Sequence, residues 1–387
     1  MSLLTSSIRL DSEYQQLLRA LERDYRVNPL PILASGLCDG AADAFLVSLL
    51  EDTRELRHSP ALLLCPEEKD CVRLSGILER YGIRTAFFMA RDLTFYNITA
   101  SHEYEHERLR VWSGLLSDSF DAVVTTPDAA LGYTVPPEVL EASLLSIDQY
   151  DQIDLKDLNR RLVSAGFVRV DLVDSPGQFA LRGGIVDIFP PNASFTDEDG
   201  EDRTGPVALR IELFGDEIDR MGTFDPESQR MTTYLRRVSF APARELLPDG
   251  EAMERLQKAV ADQFRHSSDE RACEELIKEK AAIERAKAGD GELCFLDKYI
   301  SLIYPQRNSL LDYFGKKTLT VVRSTNAVND RVKAAEWHLN QTVVELLEGG
   351  TLASKYAEYA KPASALELFC DAHVTLHVDS IAYNVSD

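Results

Sequence analysis

The sequence has few cysteines, and they are not arranged as a disulfide or zinc framework. Six cysteines are spread over 387 residues, with no CxxC pair and without the dense spacing of a small secreted scaffold. We therefore expect reduced, partly buried cysteines. The stretch HEYEHERLR, residues 102–110, is interpreted as a solvated helix rather than a metal site, and no metal ligands are predicted.

The sequence is also short of positive charge. It has 42 lysine and arginine residues against 64 aspartate and glutamate residues, which gives a formal net charge of −22. Such an excess of negative charge repels a polyanion unless cations gather on one face of the protein. Tight autonomous DNA binding is therefore disfavoured.

Long hydrophobic runs are missing as well. No apolar stretch approaches the roughly 20 residues that cross a bilayer as a helix. The N-terminal MSLLTSSIRLDSEYQQ lacks the charged and apolar regions of a signal peptide. We predict a cytoplasmic protein with no membrane partner. The final AHVTLHVDSIAYNVSD contains a strand pattern without an evident cap, which suggests a piece of a longer protein.

A functional phosphate loop is absent. The stretch PILASGLCDGAADAF has the strand, turn and helix pattern of a nucleotide-binding fold, with Gly36 and Gly40 in the turn. A phosphate loop, GxxxxGK[ST], needs a second glycine, a lysine for the phosphate oxygens and a hydroxyl for Mg²⁺. Counted from Gly36, these places hold Ala41, Ala42 and Asp43. Asp43 brings a carboxylate to the helix N-terminus, where a phosphate would bind, so we expect a degenerate loop that neither binds nor hydrolyses ATP.

What is present is a chain with three successive patterns. Up to about residue 150, short apolar runs alternate with amphipathic helices, which favours a parallel sheet covered on both faces. The next hundred residues show strand patterns and turn signals, including a Gly215-Asp216 hairpin loop, and predict a small, mainly antiparallel domain. The remainder returns to helices and buried strands.

Three motifs of the middle segment carry specific information. They are SPGQFALRGGIVDIFPP from Ser175, LRIELFGDEIDRMGTFDPESQR from Leu209 and FAPARELLP from Phe240. Together they resemble a domain shared by the nucleotide-excision-repair helicase UvrB and the bacterial transcription-repair coupling factors, the Mfd family. Two features resemble the Mfd family rather than UvrB. The phosphate loop lacks its lysine, and the segment from TFYN to the next helix is too short for the aromatic hairpin that UvrB inserts into DNA.

The resemblance implies an α/β fold and a domain division. We expect a degenerate P-loop-type parallel-sheet domain, split into two segments, with an inserted small, mainly antiparallel α+β domain. The implied domains are 1–148 (domain 1a), 149–250 (domain 2) and 251–387 (domain 1b, packed back on domain 1a). In this family domain 2 binds UvrA, and the protein's own C-terminal domains cover that surface until RNA polymerase is engaged.

Three residues are predicted to contact UvrA. Arg182, Arg210 and Phe214 match the contact positions of the family. Strand alternation also places Arg210 and Phe214 on the face opposite Leu209, and an aromatic side chain beside an arginine is typical of a binding hot spot. In the alternative interpretation, Arg182 braces the glycine turn that follows it and Phe214 packs under a neighbouring loop. Ala180 stands where UvrB-type sequences often keep another arginine, so a smaller contact set is expected.

The predicted function is non-catalytic. We expect a module that recruits UvrA to stalled RNA polymerase and contributes to autoinhibition, with no cofactor of its own. ATP, Mg²⁺, DNA and RNA polymerase would be bound by regions outside this chain, whose parent family resembles an ATP-dependent DNA translocase. The alternatives are a UvrB-like ATP-dependent helicase fragment, which would need a lysine in place of Ala42, and a stand-alone adaptor that competes for UvrA.

Overall fold

The chain builds two β-sheets of different kinds. The computed structural model describes residues 3–26, 31–93, 95, 103–287 and 293–380. One sheet is six-stranded and parallel, and the other is larger and mainly antiparallel. The expected fold class, an α/β protein whose parallel sheet comes from two chain segments and whose second sheet is mainly antiparallel, is confirmed.

The strands are mostly four to six residues long. In chain order, the described strands are β1 (Ile32–Ser35), β2 (Ala61–Leu64), β3 (Thr85–Phe88), β4 (Ala122–Thr125), β5 (Leu145–Asp148), β6 (Val168–Arg169), β7 (Gln178–Arg182), β8 (Ile185–Ile188), β9 (Ala193–Asp197), β10 (Asp202–Gly205), β11 (Leu209–Phe214), β12 (Glu217–Phe224), β13 (Met231–Phe240), β14 (Leu319–Arg323) and β15 (Val374–Asp379).

The α-helices lie mainly before residue 165 and after residue 249. They are α1 (Leu3–Leu10), α2 (Ser12–Arg26), α3 (Asp39–Asp52), α4 (Glu68–Arg80), α5 (Glu103–Leu116), α6 (Pro127–Leu131), α7 (Pro137–Ser143), α8 (Leu155–Ser164), α9 (Gly250–His266), α10 (Glu270–Lys287), α11 (Ile300–Ile303), α12 (Thr325–Glu348) and α13 (Ala363–Ala372). Short 3₁₀ turns occur at Leu296–Tyr299, Leu310–Tyr313 and Ser354–Tyr356. Within the described ranges, no helix is both long and apolar enough to span a bilayer.

The parallel sheet has the order β1-β15-β14-β2-β4-β3. Strands β14 and β15, from the end of the chain, therefore lie between β1 and β2, from its beginning. Both faces of the sheet are covered, as the continuous apolar runs require. Along β2, Leu62 and Leu64 join one hydrophobic core, whereas Ala61 and Leu63 join the core on the other face.

The second sheet has the order β10-β9-β13-β12-β11-β8-β7-β6, and β5 pairs with β13. Its core side packs on α8 through Leu158 and Leu162, which are 6% and 0% exposed. The predicted hairpin loop is confirmed, because β11 ends at Phe214 and β12 begins at Glu217. Gly215 in this loop has a φ of +72°, a conformation that glycine adopts without steric cost.

The segment around α5 differs from its prediction. Residues 96–102 lie outside the described ranges, so the absence of a DNA-inserting hairpin stays a prediction. The interpretation of 102–110 as a solvated helix is wrong for its C-terminal half, since Arg108 and Leu109 are 3% and 0% exposed. The prediction failed because the sequence shows that Arg108 is charged but does not show which carboxylate it pairs with, and an arginine without a known partner is expected on the surface. Among the described residues there is no cluster that could hold a metal ion.

Candidate partner-binding site on the antiparallel sheet

The candidate site is organised around a buried carboxylate, Asp187. This residue lies in β8 directly opposite Arg210 of β11, and its side chain is fully buried. Arg210 Nε lies 2.6 Å from Asp187 Oδ1, and Arg210 Nη2 lies 2.9 Å from Oδ2. Arg182, at the end of β7, donates to the same Oδ2. Two of the three predicted contact residues therefore share one internal anion.

Arg210 is held on several sides. Its guanidinium also donates to the Gln229 backbone oxygen at 2.7 Å and to Gln229 Oε1 at 3.1 Å. It lies 4.6 Å from the centre of the Phe224 ring, and its side chain is 12% exposed. The hydrogen bond with Asp187 raises the pKa of Arg210 above its ordinary value. Arg210 is thus a fixed, largely buried cation rather than a freely displayed one.

The face of β11 that carries Arg210 is not fully open to solvent. Ala180, Ala208, Val173 and Phe224 form a second, small hydrophobic core there. Ala180, the position where a further arginine was considered, is 1% exposed. A longer side chain would not fit at this place without moving its neighbours.

Phe214 has the opposite environment. Its side chain is 83% exposed at the end of β11, where the register with β12 shifts between Glu212 and Leu213. The alternative in which Phe214 packs under a neighbouring loop is therefore contradicted. A phenylalanine this exposed contributes little to folding through burial of its apolar surface.

The Arg182 turn borders the Phe214 hairpin. The Arg182 side chain is 42% exposed and precedes Gly183, whose φ is +62°. Leu213 N donates to Gly184 O at 2.7 Å, which places this turn beside the strand end that carries Phe214. A Cβ on Gly184 would lie 2.9 Å from Leu213 O, so the close approach requires glycine. The ion pair with Asp187 agrees with a bracing role for Arg182 and leaves part of its side chain accessible.

The segment that follows β1 contains an internal ion-pair cluster around Asp43. Gly36 has a φ of +81°, and α3 begins three residues later, at Asp39. The placement of Gly40 in the turn is therefore wrong, because Gly40 is the second residue of α3, and Asp43 is its fifth residue rather than its N-terminus. Ala42 is buried against the core, and Asp43 is 7% exposed. The Asp43 carboxylate contacts Arg323 Nη1 at 3.0 Å and Arg73 Nη1 at 2.5 Å. Asp43 thus neutralises two arginines of neighbouring elements, a role that the sequence position alone did not indicate.

Sequence reasoning missed a second buried carboxylate, Glu245 of the FAPARELLP motif. Glu245 is fully buried, and Arg108 binds both of its oxygens at 2.9 Å. Arg91 Nη1 lies 2.6 Å from Oε2, and Thr134 donates to Oε1. Burial alone would raise the pKa of Glu245, but the charges of Arg108 and Arg91 outweigh it and lower the pKa to about 2. The only signal in the sequence was a charged pair inside an apolar motif.

Glu245 joins the two sheets of the molecule. It follows β13 of the antiparallel sheet, whereas Arg91 and Arg108 belong to the parallel-sheet half of the chain. Glu105 of α5 reinforces the junction, because it accepts the Glu245 N–H at 2.7 Å and pairs with Arg244 Nε at 3.1 Å. A buried charge cluster therefore holds the two parts against each other.

Comparison with known proteins shows what the middle of the chain is similar to. Residues 145–246 match the family model described as the UvrB interaction domain. The resemblance inferred from the sequence is confirmed. The matched range runs from the start of β5 to residue 246, so it includes Glu245, the Asp187 cluster and the Phe214 hairpin.

Curated relatives agree with the UvrB interaction domain match. The chain is 28% identical over 327 residues to the transcription-repair-coupling factor of Bacillus subtilis (strain 168), covering 83% of this chain and 26% of the relative. It is 28% identical over 258 residues to UvrABC system protein B of Chlorobaculum tepidum, covering 64% and 35%. It is 21% identical over 360 residues to the transcription-repair-coupling factor of Staphylococcus aureus (strain MRSA252), covering 90% and 28%. The chain thus spans about a quarter to a third of the length of these relatives.

Proposed function

We propose that this chain is a non-catalytic module of a transcription-repair coupling factor that recruits the nucleotide-excision-repair protein UvrA. The observation that carries the proposal is the match of residues 145–246 to the UvrB interaction domain. Relatives named as transcription-repair-coupling factors and as UvrABC system protein B support the same repair context. In this proposal the chain acts in the cytoplasm and brings UvrA to stalled RNA polymerase.

The exposed Phe214 is the proposed anchor of the UvrA contact. Its side chain stands 83% exposed on a tight hairpin, next to the turn of the half-exposed Arg182. Aromatic and arginine anchors dominate the affinity of many protein interfaces. Arg210 supports the site from inside by fixing Asp187, the carboxylate that also orients Arg182. A contact built on a rigid sheet loses little conformational entropy on binding.

The remaining parts of the proposal concern regions around this module. Domain 1a would span 1–148, domain 2 would span 149–250 and domain 1b would span 251–387. The protein's own C-terminal domains would cover the UvrA surface and contribute to autoinhibition, and RNA polymerase and DNA would be bound outside this chain. This division assigns the partner contact to domain 2 and a scaffold role to the parallel sheet.

Non-catalysis is proposed from the turn after β1. No lysine stands at position 42, and the Asp43 carboxylate is committed to Arg73 and Arg323. ATP and Mg²⁺ would serve only motor domains beyond this chain. Isothermal titration calorimetry with Mg-ATP tests this part, and no micromolar binding is expected. Micromolar binding accompanied by ATP hydrolysis would favour the rival function, a UvrB-like helicase fragment.

The UvrA contact is tested by titrating UvrA with the whole chain and with the Phe214→Ala variant. Loss of a central aromatic anchor should cost about 2 kcal/mol, a weakening of roughly thirtyfold. Trp337→Ala is the matched control, because Trp337 is also an exposed aromatic residue, 59% accessible, but lies on α12 outside the matched domain. Equal affinity of wild type and Phe214→Ala would move the interface away from this hairpin, and no binding by the wild type would overturn the proposed function.

A further inference from the structure

A polar groove lies at the N-terminal edge of the parallel sheet. It is formed by the segment after α3, the residue that precedes β3 and the residues that precede β4, with a volume of about 370 Å³. A smaller cavity of about 90 Å³ adjoins it and shares Arg54, Arg57 and Asp121. The groove is on the opposite edge of the sheet from the turn that holds Asp43, and it is outside the matched domain. Its size is within the range of small-ligand sites.

Two arginines build the wall of the groove and are occupied by internal contacts. Arg84 Nη2 lies 3.0 Å from Asp121 Oδ1, and its Nε lies 3.2 Å from Oδ2. Arg57 donates to the backbone oxygens of Asp121 and Leu50, the latter at 2.8 Å. These contacts fix the guanidinium groups in place and connect the segments that precede β2, β3 and β4.

Two further basic side chains line the groove and have N–H groups that can donate hydrogen bonds to a ligand. Arg54 is 63% exposed, and among the described residues its guanidinium makes one ion pair, 3.4 Å from Asp121 Oδ1. His58 is exposed and makes no side-chain hydrogen bond within the described ranges. The carboxylates that face the groove are Asp121, which is already shared by Arg54 and Arg84, and Asp118. The local balance of charge is therefore positive in a chain of net charge −22.

A neighbouring turn adds another cation. Ser59 Oγ lies 2.9 Å from Thr318 Oγ1, and a Cβ on Gly315 would lie 3.8 Å from Ser59 Cβ. The turn 315–318 consequently borders the groove. It carries Lys316, which is exposed and makes no ion pair among the described residues. Arg54, His58 and Lys316 thus offer hydrogen-bond donors from two separate chain segments.

We propose that this groove binds a small, free phosphate-type oxyanion, of which inorganic pyrophosphate is the probe. Arg54 and His58 would donate to its oxygens, and Lys316 would add to the positive field. A nucleic-acid backbone carries the same phosphate chemistry, but a polyanion must approach the whole negatively charged molecule, whereas a small ion responds mainly to the local field. This inference does not depend on the proposed UvrA contact.

The test is calorimetric titration of the full chain with pyrophosphate at low ionic strength. The double variant Arg54→Ala/His58→Ala should bind at least about tenfold more weakly, because it removes two donors to an anion. The matched control is Arg160→Ala/His338→Ala, which also removes one arginine and one histidine, both exposed and distant from the groove. The control should stay within about twofold of wild type.

Three results would overturn the proposal. They are the absence of pyrophosphate binding at millimolar concentration, equal binding by Arg54→Ala/His58→Ala and wild type, and binding of a short DNA duplex without binding of pyrophosphate. Circular dichroism and thermal unfolding establish that each variant is folded. If the double variant is unfolded, Arg54→Gln, which keeps a donor but removes the charge, takes its place and should bind at least about threefold more weakly.

Discussion

At the scale of single residues, Arg210 and Phe214 are expected to respond differently to truncation. Arg210→Ala removes a partner of the fully buried Asp187 and should lower the free energy of unfolding by about 2 kcal/mol, with Arg182 compensating in part. Phe214→Ala should change it by no more than about 0.5 kcal/mol, because the ring is 83% exposed. Urea denaturation of both variants measures the difference. Equal stability of the two variants would contradict the role of Arg210 in stabilising the buried Asp187.

This contrast determines how binding data on the site are interpreted. If Arg210→Ala lost binding to UvrA, the loss would combine the absence of a proposed contact with a disturbed Asp187 cluster, so it would not by itself locate the interface. Phe214→Ala should leave the cluster intact and therefore test the proposed contact alone. The same distinction applies to Arg182, which contacts Asp187 and is also 42% exposed.

Glu245 should make stability depend on acid pH. Its pKa is lowered from 4.5 to about 2 by Arg108 and Arg91 despite its burial. A carboxylate whose pKa is lowered in the folded state stabilises that state at any pH above the ordinary pKa of the carboxylate. This stabilisation is lost as the pH falls from about 4.5 towards 2. The full contribution corresponds to about 3 kcal/mol of unfolding free energy.

The measurement is urea denaturation of wild type and Glu245→Gln between pH 7 and pH 3. The neutral glutamine cannot titrate, so the stability gap between the two proteins should be largest near pH 7 and narrow towards pH 3. The titration of other carboxylates affects both proteins and cancels in the difference. A gap that stays constant over this range would show that Glu245 does not carry the charge assigned to it.

At the scale of secondary-structure elements, the sequence predicted the elements themselves better than the contacts between them. The alternation of short apolar strands with helices before residue 150 and the Gly215 hairpin followed from strand and turn chemistry, and the structure has both. Phe214 was placed on the outside by alternation within one strand. The partner of Arg210 was not predictable, because Asp187 reaches it only through the β8–β11 register.

The same limit explains the missed junction. Glu245 lies in a recognisable motif, yet Arg91 and Arg108 come from distant parts of the chain and are brought to it only by the packing of the two sheets. The charged residues of α5 therefore looked like a solvated face. Asp43 is a similar case, since Arg73 and Arg323 belong to α4 and β14. Long-range ion pairs leave no periodic pattern in a sequence.

The β1–α3 turn should depend on its internal ion pair for stability. Asp43→Ala leaves the nearly buried Arg323 without this carboxylate and should destabilise the protein by about 3 kcal/mol. Arg73→Ala should cost less, about 1 kcal/mol, because the Arg73 side chain is 41% exposed. Chemical denaturation of the two variants gives the ranking. A larger loss for Arg73→Ala than for Asp43→Ala would show that the turn is held mainly from the α4 side.

At the scale of the whole molecule, several arginines among the described residues pair with buried or largely buried carboxylates. Arg108 pairs with Glu245, Arg210 with Asp187 and Arg331 with Asp128. These paired arginines contribute little positive charge to the surface. The excess of carboxylates then dominates the electrostatic interaction of the chain with other macromolecules. The architecture therefore suits a protein partner contacted through a few exposed side chains better than a nucleic acid contacted through many cations.

The whole chain should accordingly fail to bind DNA by itself at physiological salt. With a net charge of −22, the dissociation constant for a duplex oligonucleotide should be no tighter than about 10⁻⁴ M, the weak end of non-specific binding. Fluorescence anisotropy of a labelled duplex measures this, with a basic DNA-binding protein as the positive control. The groove at Arg54 does not alter the expectation, because one local cation cluster releases few counterions. Micromolar affinity that falls linearly with the logarithm of salt concentration would instead require a continuous basic surface, and would place a DNA contact within this module.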